Sequence, residues 1–244
     1  AISNIEYTTL ANILDYLNKN NIKAAFVPNL HEIFVHRIKI NLIGQIPLVM
    51  KEEDNNVEIP YLYIKRFFDL ILSLAVLILL CPLFLIISFA IKIDSRGRII
   101  FTQDRVGKDG KIFKMYKFRS MFNDADCYAV TPTSQDDPRI TRVGRFLRKT
   151  SLDEFPQLLN VLKGEMSLVG PRPEMPFIVA TYNEIQRERL KILPGITGLW
   201  QLSGDRKKAI HENMDYDIYY RANMSFFLDV AISIETLVFA FRGI

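Results

Sequence analysis

From Leu70 to Ile91 the chain runs for 22 residues without one charged side chain. A helix needs about 20 such residues to cross the hydrocarbon core of a bilayer, so this run limits what the rest of the chain can be. Pro82 stands in its middle. Proline removes a backbone donor and clashes with the preceding helical turn. Two readings stay open. One is a spanning helix kinked at Pro82, a feature membrane helices tolerate, and on these residues alone it is the simpler. The other is a re-entrant pair of half-helices, each too short to cross about 30 Å. Tyr61, Tyr63, Lys65 and Arg66 precede the run, and Lys92, Arg96 and Arg98 follow it. Aromatic and cationic residues at both ends suit interfacial anchoring. Cations on both sides give no inside–outside bias, and a hairpin with both ends on one face accounts for that symmetry better than a span.

The segments around the run differ in character. Residues 1–50 alternate short elements: a helix over Leu10–Asn20, a strand over Lys23–Val27, a helical turn over Leu30–Val35 and a strand over Arg37–Ile43. This is a βα pattern with too few strands for a complete doubly wound sheet, so it reads as the edge of a larger α/β unit. Residues 51–60 are a linker, polar and acidic through Glu58. After Ile99 the pattern predicts strands at Ile99–Gln103 and Ile112–Phe118 around a Gly107–Gly110 turn. A polar loop over Ala129–Pro138 and a mostly helical Arg142–Lys163 follow. An amphipathic helix is predicted over Pro176–Leu193, ended by Pro194-Gly195. Phe226–Phe241 is apolar but carries Asp229 and Glu235, which suits a helix in an interface or core better than a second span.

A net charge of +4 is compatible with anionic lipid or phosphorylated substrates. No RNP-like or zinc-finger pattern accompanies it, and nucleic acid is not an expected partner. Cys81 and Cys127 form no CxxC, and His31, His36 and His211 are scattered, which argues against a thiolate or histidine metal site and against a disulfide. A reducing, cytoplasmic setting is the default.

The densest chemistry lies between Arg142 and Pro173. Arg142, Arg145 and Arg148 recur every three residues, and no acid falls between Pro138 and Leu152. In a helix these arginines share a face suited to phosphate oxygens or lipid headgroups, or simply to solvent. Asp153-Glu154 follows at once. Adjacent carboxylates beside arginines suit a nucleophile, a Mg²⁺ ligand or a general base. Equally, Ser151-Leu152-Asp153-Glu154 matches a capping box, although Pro156 disfavours helical geometry just before it. Gly170-Pro171-Arg172-Pro173 reads as a turn or as a rigid loop aiming one cation at phosphate. Pro194-Gly195-Ile196-Thr197-Gly198 reads as a helix stop or as a stiff turn offering backbone donors. Gln135-Asp136-Asp137 before Pro138 is read as a turn rather than a metal motif.

The string Ser151–Pro173 (SLDEFPQLLNVLKGEMSLVGPRP) resembles the signature of the monotopic phosphoglycosyl transferases, the bacterial sugar transferase family. Further matches are Lys65-Arg66-Phe67-Phe68-Asp69, Phe101–Gly107, Tyr116–Met121 and Pro194–Gly198, so the resemblance covers about Ile64 to Gly243. Residues 1–50 resemble the end of the Rossmann-like domain of longer members. The resemblance implies a mixed α/β, mainly α fold: a partial Rossmann-like segment (1–50), the linker, a re-entrant helix-break-helix (61–98) and a small cytoplasmic catalytic domain with interfacial helices (99–244). The break falls at Pro82, with Cys81 where the family has serine. It further implies Asp153 as nucleophile, Glu154 as its partner, both as ligands of a Mg²⁺ cofactor, and Lys117, Arg119, Arg145, Arg148 and Arg172 around phosphates. Pro194, Gly195, Thr197 and Gly198 would lie against the nucleotide. The implied substrates are a UDP-sugar and undecaprenyl phosphate. The reaction would release UMP through a phosphosugar–aspartate intermediate, as the first membrane step of exopolysaccharide, capsule or O-antigen synthesis. The implied setting is the cytoplasmic face of the bacterial inner membrane, with membrane lipid and a second copy of the chain, in a homodimer, as partners.

Overall fold

The computed structural model describes residues 38–43, 46–51, 59–123, 137–207 and 209–242. The expected elements at Leu10–Asn20, Lys23–Val27 and Leu30–Val35, Cys127 and nearly all of the Ala129–Pro138 loop lie outside the described residues. The chain divides into two units, residues 1–54 and 55–244.

In the first unit, β1 (Ile38–Ile43) pairs antiparallel with β2 (Ile46–Lys51), Ile38 opposite Lys51. The strand expected at Arg37–Ile43 is present, and β2 was not anticipated. The ladder is an antiparallel hairpin, and most of residues 1–50, on which the Rossmann-like expectation rests, lie outside the described residues.

The second unit opens with α1 (Ile59–Leu79) and α2 (Cys81–Asp94). Among the described residues no single helix is long and apolar enough to cross a membrane, but α1 and α2 together are, bent by 61°. The chain breaks at Leu80, with φ −90° and ψ 2°. Pro82 sits in the first turn of α2, where a helix leaves its amide unbonded in any case. The break forms although Cys81 offers no hydroxyl. Helix α1 inverts the usual pattern of a soluble helix, while α2 buries one apolar edge and exposes the other. The buried stripe of α1 is Lys65, Asp69 and Ser73, while Phe67, Phe68, Ile71, Leu72, Leu74, Ile78 and Leu79 are exposed. On α2, Ile87 and Ile91 are buried, and Leu85, Ile86, Phe89 and Ile93 are exposed.

Polar contacts tie both ends of this pair to the rest of the unit. At the start of α1, Lys65 Nζ meets Asp229 Oδ2 at 2.5 Å, and Arg66 Nη1 donates to the Val161 carbonyl at 2.6 Å. Asp69 Oδ2 accepts from Ser167 Oγ at 2.7 Å. At the end of α2, Asp94 Oδ2 accepts from the Val143 amide at 2.9 Å, and Ile87 and Ile91 share a core with Phe118 and Leu147.

Strands β3 (Ile100–Val106) and β4 (Ile112–Phe118) form an antiparallel hairpin, Ile100 opposite Phe118. Helix α3 (Arg142–Lys149) follows, its first turn capped by the Thr141 hydroxyl, which accepts from Gly144 N at 2.9 Å. Gly144 lets α3 lie against the Ser120 backbone: a Cβ there would stand 2.0 Å from the Ser120 carbonyl oxygen. A 3-10 helix (Leu152–Gln157) and α4 (Leu158–Lys163) come next. Buried Asn160 fastens α4 to β4, accepting from Tyr116 N at 3.0 Å and donating to the Lys114 carbonyl at 2.8 Å. Then β5 (Ser167–Val169) pairs in parallel with β6 (Gly195–Thr197).

The single helix expected over Pro176–Leu193 is instead three short pieces: α5 (Pro176–Val179), α6 (Glu184–Arg187) and a 3-10 turn over Glu188–Lys191. Asn183 starts α6 with a capping box, exchanging hydrogen bonds with Gln186. A new N-cap inside an amphipathic pattern ends the preceding helix. After α7 (Leu199–Leu202) and α8 (Asp215–Asn223), the chain closes on α9 (Phe226–Arg242). Helix α9 buries Ile232 and leaves Phe227, Val230, Ile234 and Leu237 exposed. Phe68 of α1 stacks on Phe226 at 5.3 Å between ring centroids.

Candidate active site

The turn between α3 and the following 3-10 helix is made by Ser151 at φ 55°. A non-glycine residue in the left-handed region costs roughly 1–2 kcal/mol and tends to mark functional sites. The Ser151 side chain caps nothing, and Glu154 does not reach back to it. The capping-box alternative therefore falls away, and both half-buried carboxylates take other surroundings.

Glu154 Oε1 accepts from Lys117 Nζ at 2.7 Å and from Arg172 Nη2 at 2.8 Å. These cations hold its carboxyl well below the usual carboxylate range, against the desolvation that alone would raise it. Asp153 behaves oppositely. Burial, followed by the neighbouring Glu154 charge, pushes its carboxyl up to about 6, although Lys117, Arg148 and Arg172 all pull it down. One carboxylate is locked in an ion-pair lattice, and in the other desolvation outweighs the neighbouring cations. Separation of this kind assigns different tasks to paired acids.

Phe155, next in sequence, packs on Phe84 of α2 at 6.3 Å, and Phe84 packs on Phe118 at 5.5 Å. The carboxylate pair is thus one residue from a contact with the apolar helix pair.

The donor set suits a hard divalent cation. Asp153 and Glu154 offer carboxylate oxygens, and added positive charge would relieve the desolvated Asp153. Among the described residues no group of three His, Cys, Asp or Glu side chains converges. One or two carboxylates completed by substrate phosphate oxygens is the usual manner in which Mg²⁺ is held.

The description "Bacterial sugar transferase" matches residues 60–243 of this chain. The chain belongs to that family. Among its relatives, an undecaprenyl-phosphate glucose phosphotransferase of Komagataeibacter xylinus is 43% identical over 185 residues, covering 71% of this chain and 35% of its own. A UDP-glucose:undecaprenyl-phosphate glucose-1-phosphate transferase of Klebsiella pneumoniae is 35% identical over 248 residues, 96% of this chain and 51% of its own. An exopolysaccharide production protein of Rhizobium leguminosarum bv. phaseoli is 43% identical over 189 residues, 72% of this chain and 94% of its own. The chain thus spans a third to a half of the first two relatives.

In this chain the fold brings Lys117, Arg148 and Arg172 to the carboxylate pair, from β4, α3 and the Gly170–Pro173 loop. Arg119 goes elsewhere: it is buried and donates to the carbonyls of Arg96 at 2.8 Å and Ser95 at 2.7 Å, clasping the end of α2. Arg142 and Arg145 lie on the exposed side of α3, while Arg148 is half-buried, so the three do not act as one stripe. Asp137 accepts from the Arg139 amide and guanidinium at 2.9 Å, the turn expected there. The Pro194–Gly198 segment backs the site: Gly195 N donates to the Pro171 carbonyl at 2.9 Å. A Cβ on Gly195 would fall 2.1 Å from Gly170 N, so only glycine lets the two loops touch. Sequence reasoning missed a buried polar cluster behind Arg172, comprising Glu174, Tyr182, Arg189 and Asp217. Its members are scattered along the chain with no spacing to announce them. Asp229, one of two acids in an apolar helix, was the one visible signal for the second hub, where it meets Lys65, Tyr61 and Tyr220.

Proposed function

We propose that this chain transfers a hexose-1-phosphate from a UDP-sugar to undecaprenyl phosphate in two displacements on Asp153, releasing UMP. The observation that carries the reading is the divided carboxylate pair, one acid locked by Lys117 and Arg172 and the other left desolvated among cations beside an apolar helix pair. The printed names of the relatives supply the substrate class.

In the first displacement an Asp153 oxygen attacks the β-phosphorus of the UDP-sugar. The bond from that phosphorus to the bridging oxygen breaks, and UMP leaves with the electron pair. In the second, an oxygen of undecaprenyl phosphate attacks the same phosphorus. The Asp153–phosphorus bond breaks, giving the lipid-linked diphosphate sugar and a free carboxylate. No external proton donor is required in either step. Lys117, Arg148 and Arg172 offset the diphosphate charge that would repel an incoming carboxylate. Glu154, held ionised, fixes Lys117 and Arg172 in place. Mg²⁺, held by Asp153 and Glu154, would add charge neutralisation on the phosphates.

The apolar pair is read as a re-entrant hairpin at the cytoplasmic face of the bacterial inner membrane. Both of its ends are tied to one folded unit, which favours the same side for both. With a 61° bend shared equally, each leg leans about 60° from the membrane normal, so 14 residues of α2 penetrate about 10 Å at 1.5 Å per residue. That is less than one leaflet of a core about 30 Å thick. The lipid phosphate then meets the carboxylates at headgroup depth. Residues 1–50 are read as the end of a Rossmann-like domain, outside this chemistry.

Purified chain in lipid nanodiscs should release UMP from UDP-glucose or UDP-galactose when undecaprenyl phosphate is supplied. Asp153→Asn should fold normally and lose at least a thousandfold in rate, the scale of losing a nucleophile. Retained turnover in that variant would refute the role of Asp153.

A further inference from the structure

Behind Arg172 lies a buried cluster that the transfer chemistry does not touch. Arg189 is only 2% exposed. Its Nη1 donates to the Tyr182 hydroxyl at 2.7 Å, and its Nη2 meets Asp217 Oδ2 at 2.7 Å. Glu174 Oε2 stands 3.7 Å from Nη1 and accepts the Tyr182 hydroxyl proton. One guanidinium thus faces two buried carboxylates, and that alone would make it a structural ion cluster. A further bond sets it apart: Nη2 also donates to the backbone carbonyl of Arg172 at 2.7 Å.

That carbonyl belongs to the one residue between Pro171 and Pro173. Neither proline has an amide to donate, so the loop is poor in bonds of its own and must be held from outside. Its flanks are stitched by Gly170 N to the Thr197 carbonyl at 2.9 Å, Gly195 N to the Pro171 carbonyl at 2.9 Å and Val106 N to the Glu174 carbonyl at 3.0 Å. At Arg172 itself the clamp is Arg189. From there the Arg172 side chain reaches Glu154 Oε1 at 2.8 Å.

We propose that Arg189 is a positioning residue for the transfer: through the Arg172 carbonyl it sets where the Arg172 guanidinium stands against Glu154 and the substrate phosphates. The two buried acids, in turn, orient Arg189. The planar guanidinium is required because a single group must serve acids and a carbonyl in fixed directions, which a lysine ammonium does not reproduce. This inference rests on the transferase reading for its consequence, but its geometry does not.

The test uses the full chain in nanodiscs with UDP-glucose as donor. Arg189→Lys keeps the charge facing Asp217 and Glu174 and gives up the fork. Its kcat/KM for UMP release should fall about tenfold, the scale of one buried hydrogen bond to a charged group. Arg172→Ala should lose more, and the double variant should be no worse than Arg172→Ala alone. Multiplying losses would overturn the proposal, because independent effects multiply. Tyr182→Phe disturbs the same cluster but spares the bond to Arg172, so it should retain turnover. A loss equal to that of Arg189→Lys would reduce Arg189 to a general stabiliser and overturn the proposal. Amide hydrogen exchange decides without turnover: Gly170 and Gly195 should exchange faster in Arg189→Lys and at the native rate in Tyr182→Phe. Unchanged exchange in Arg189→Lys would overturn it. Absence of UMP release from the unaltered chain would instead strike the transferase reading, leaving exchange to decide this one.

Discussion

At the scale of single residues, two neighbouring carboxylates acquire opposite properties because only one of them forms close ion pairs with Lys117 and Arg172. Ser151 takes the left-handed conformation, and Glu154 reaches Lys117 and Arg172 while half-buried Asp153 is desolvated and set beside the Glu154 charge. A thermodynamic consequence follows. Asp153 has a folded pKa above its ordinary value, so the folded chain binds its proton more tightly than the unfolded chain does. Stability from this group is therefore full below about pH 4, and it declines as pH rises through about 6. In chelator, without added metal, Asp153→Asn should melt several degrees above the unaltered chain at pH 7.5, and the gap should close as pH falls toward 4. Thermal melts across that range check this, and a lower melting temperature for the variant at pH 7.5 would contradict it. The pair and most of its cations were legible in the SLDEFP and GPRP strings and in Lys117 and Arg148. Arg119 was not separable from them by type or spacing, since only the fold turns its guanidinium onto the carbonyls at the end of α2. Arg189 was invisible, because the carbonyl it serves lies 17 positions away.

At the scale of elements, α1 carries polar residues inward, both helices carry apolar residues outward, and the chain bends at Leu80 rather than at the proline itself. Pro82 permits the break by starting α2 cleanly. The run and its proline were legible in the sequence, but the choice between a kinked span and a hairpin was not. The contacts that favour a hairpin, Lys65 with Asp229 and Asp94 with Val143, join residues 164 and 49 positions apart. Single cysteines at Tyr63 and at Lys92 should react with an impermeant thiol reagent from the same side of sealed membrane vesicles. Labelling from opposite sides would establish a span. The failed expectation of one helix over Pro176–Leu193 has a local cause. Apolar periodicity continues across Asn183, but its side chain caps a new helix there, and periodicity does not register a cap.

At the scale of the whole second unit, the groups of the candidate site come from four separate places: β4, α3, the 3-10 helix and the Gly170–Pro173 loop. Asn160 fixes α4, and with it the 3-10 helix, to β4. The β5–β6 pair fixes the loop, and the Phe155–Phe84–Phe118 stack joins the 3-10 helix to the apolar pair. This assembly places a desolvated carboxylate among guanidinium and ammonium groups, near the apolar helix pair. The decisive measurement is intact-protein mass spectrometry after the chain meets UDP-glucose or UDP-galactose with Mg²⁺ and no polyprenyl phosphate. The expected result is one hexose-phosphate added at Asp153 with release of UMP, lost in Asp153→Asn. UMP release only when the lipid phosphate is present, with no mass added to the chain at any stage, would contradict it.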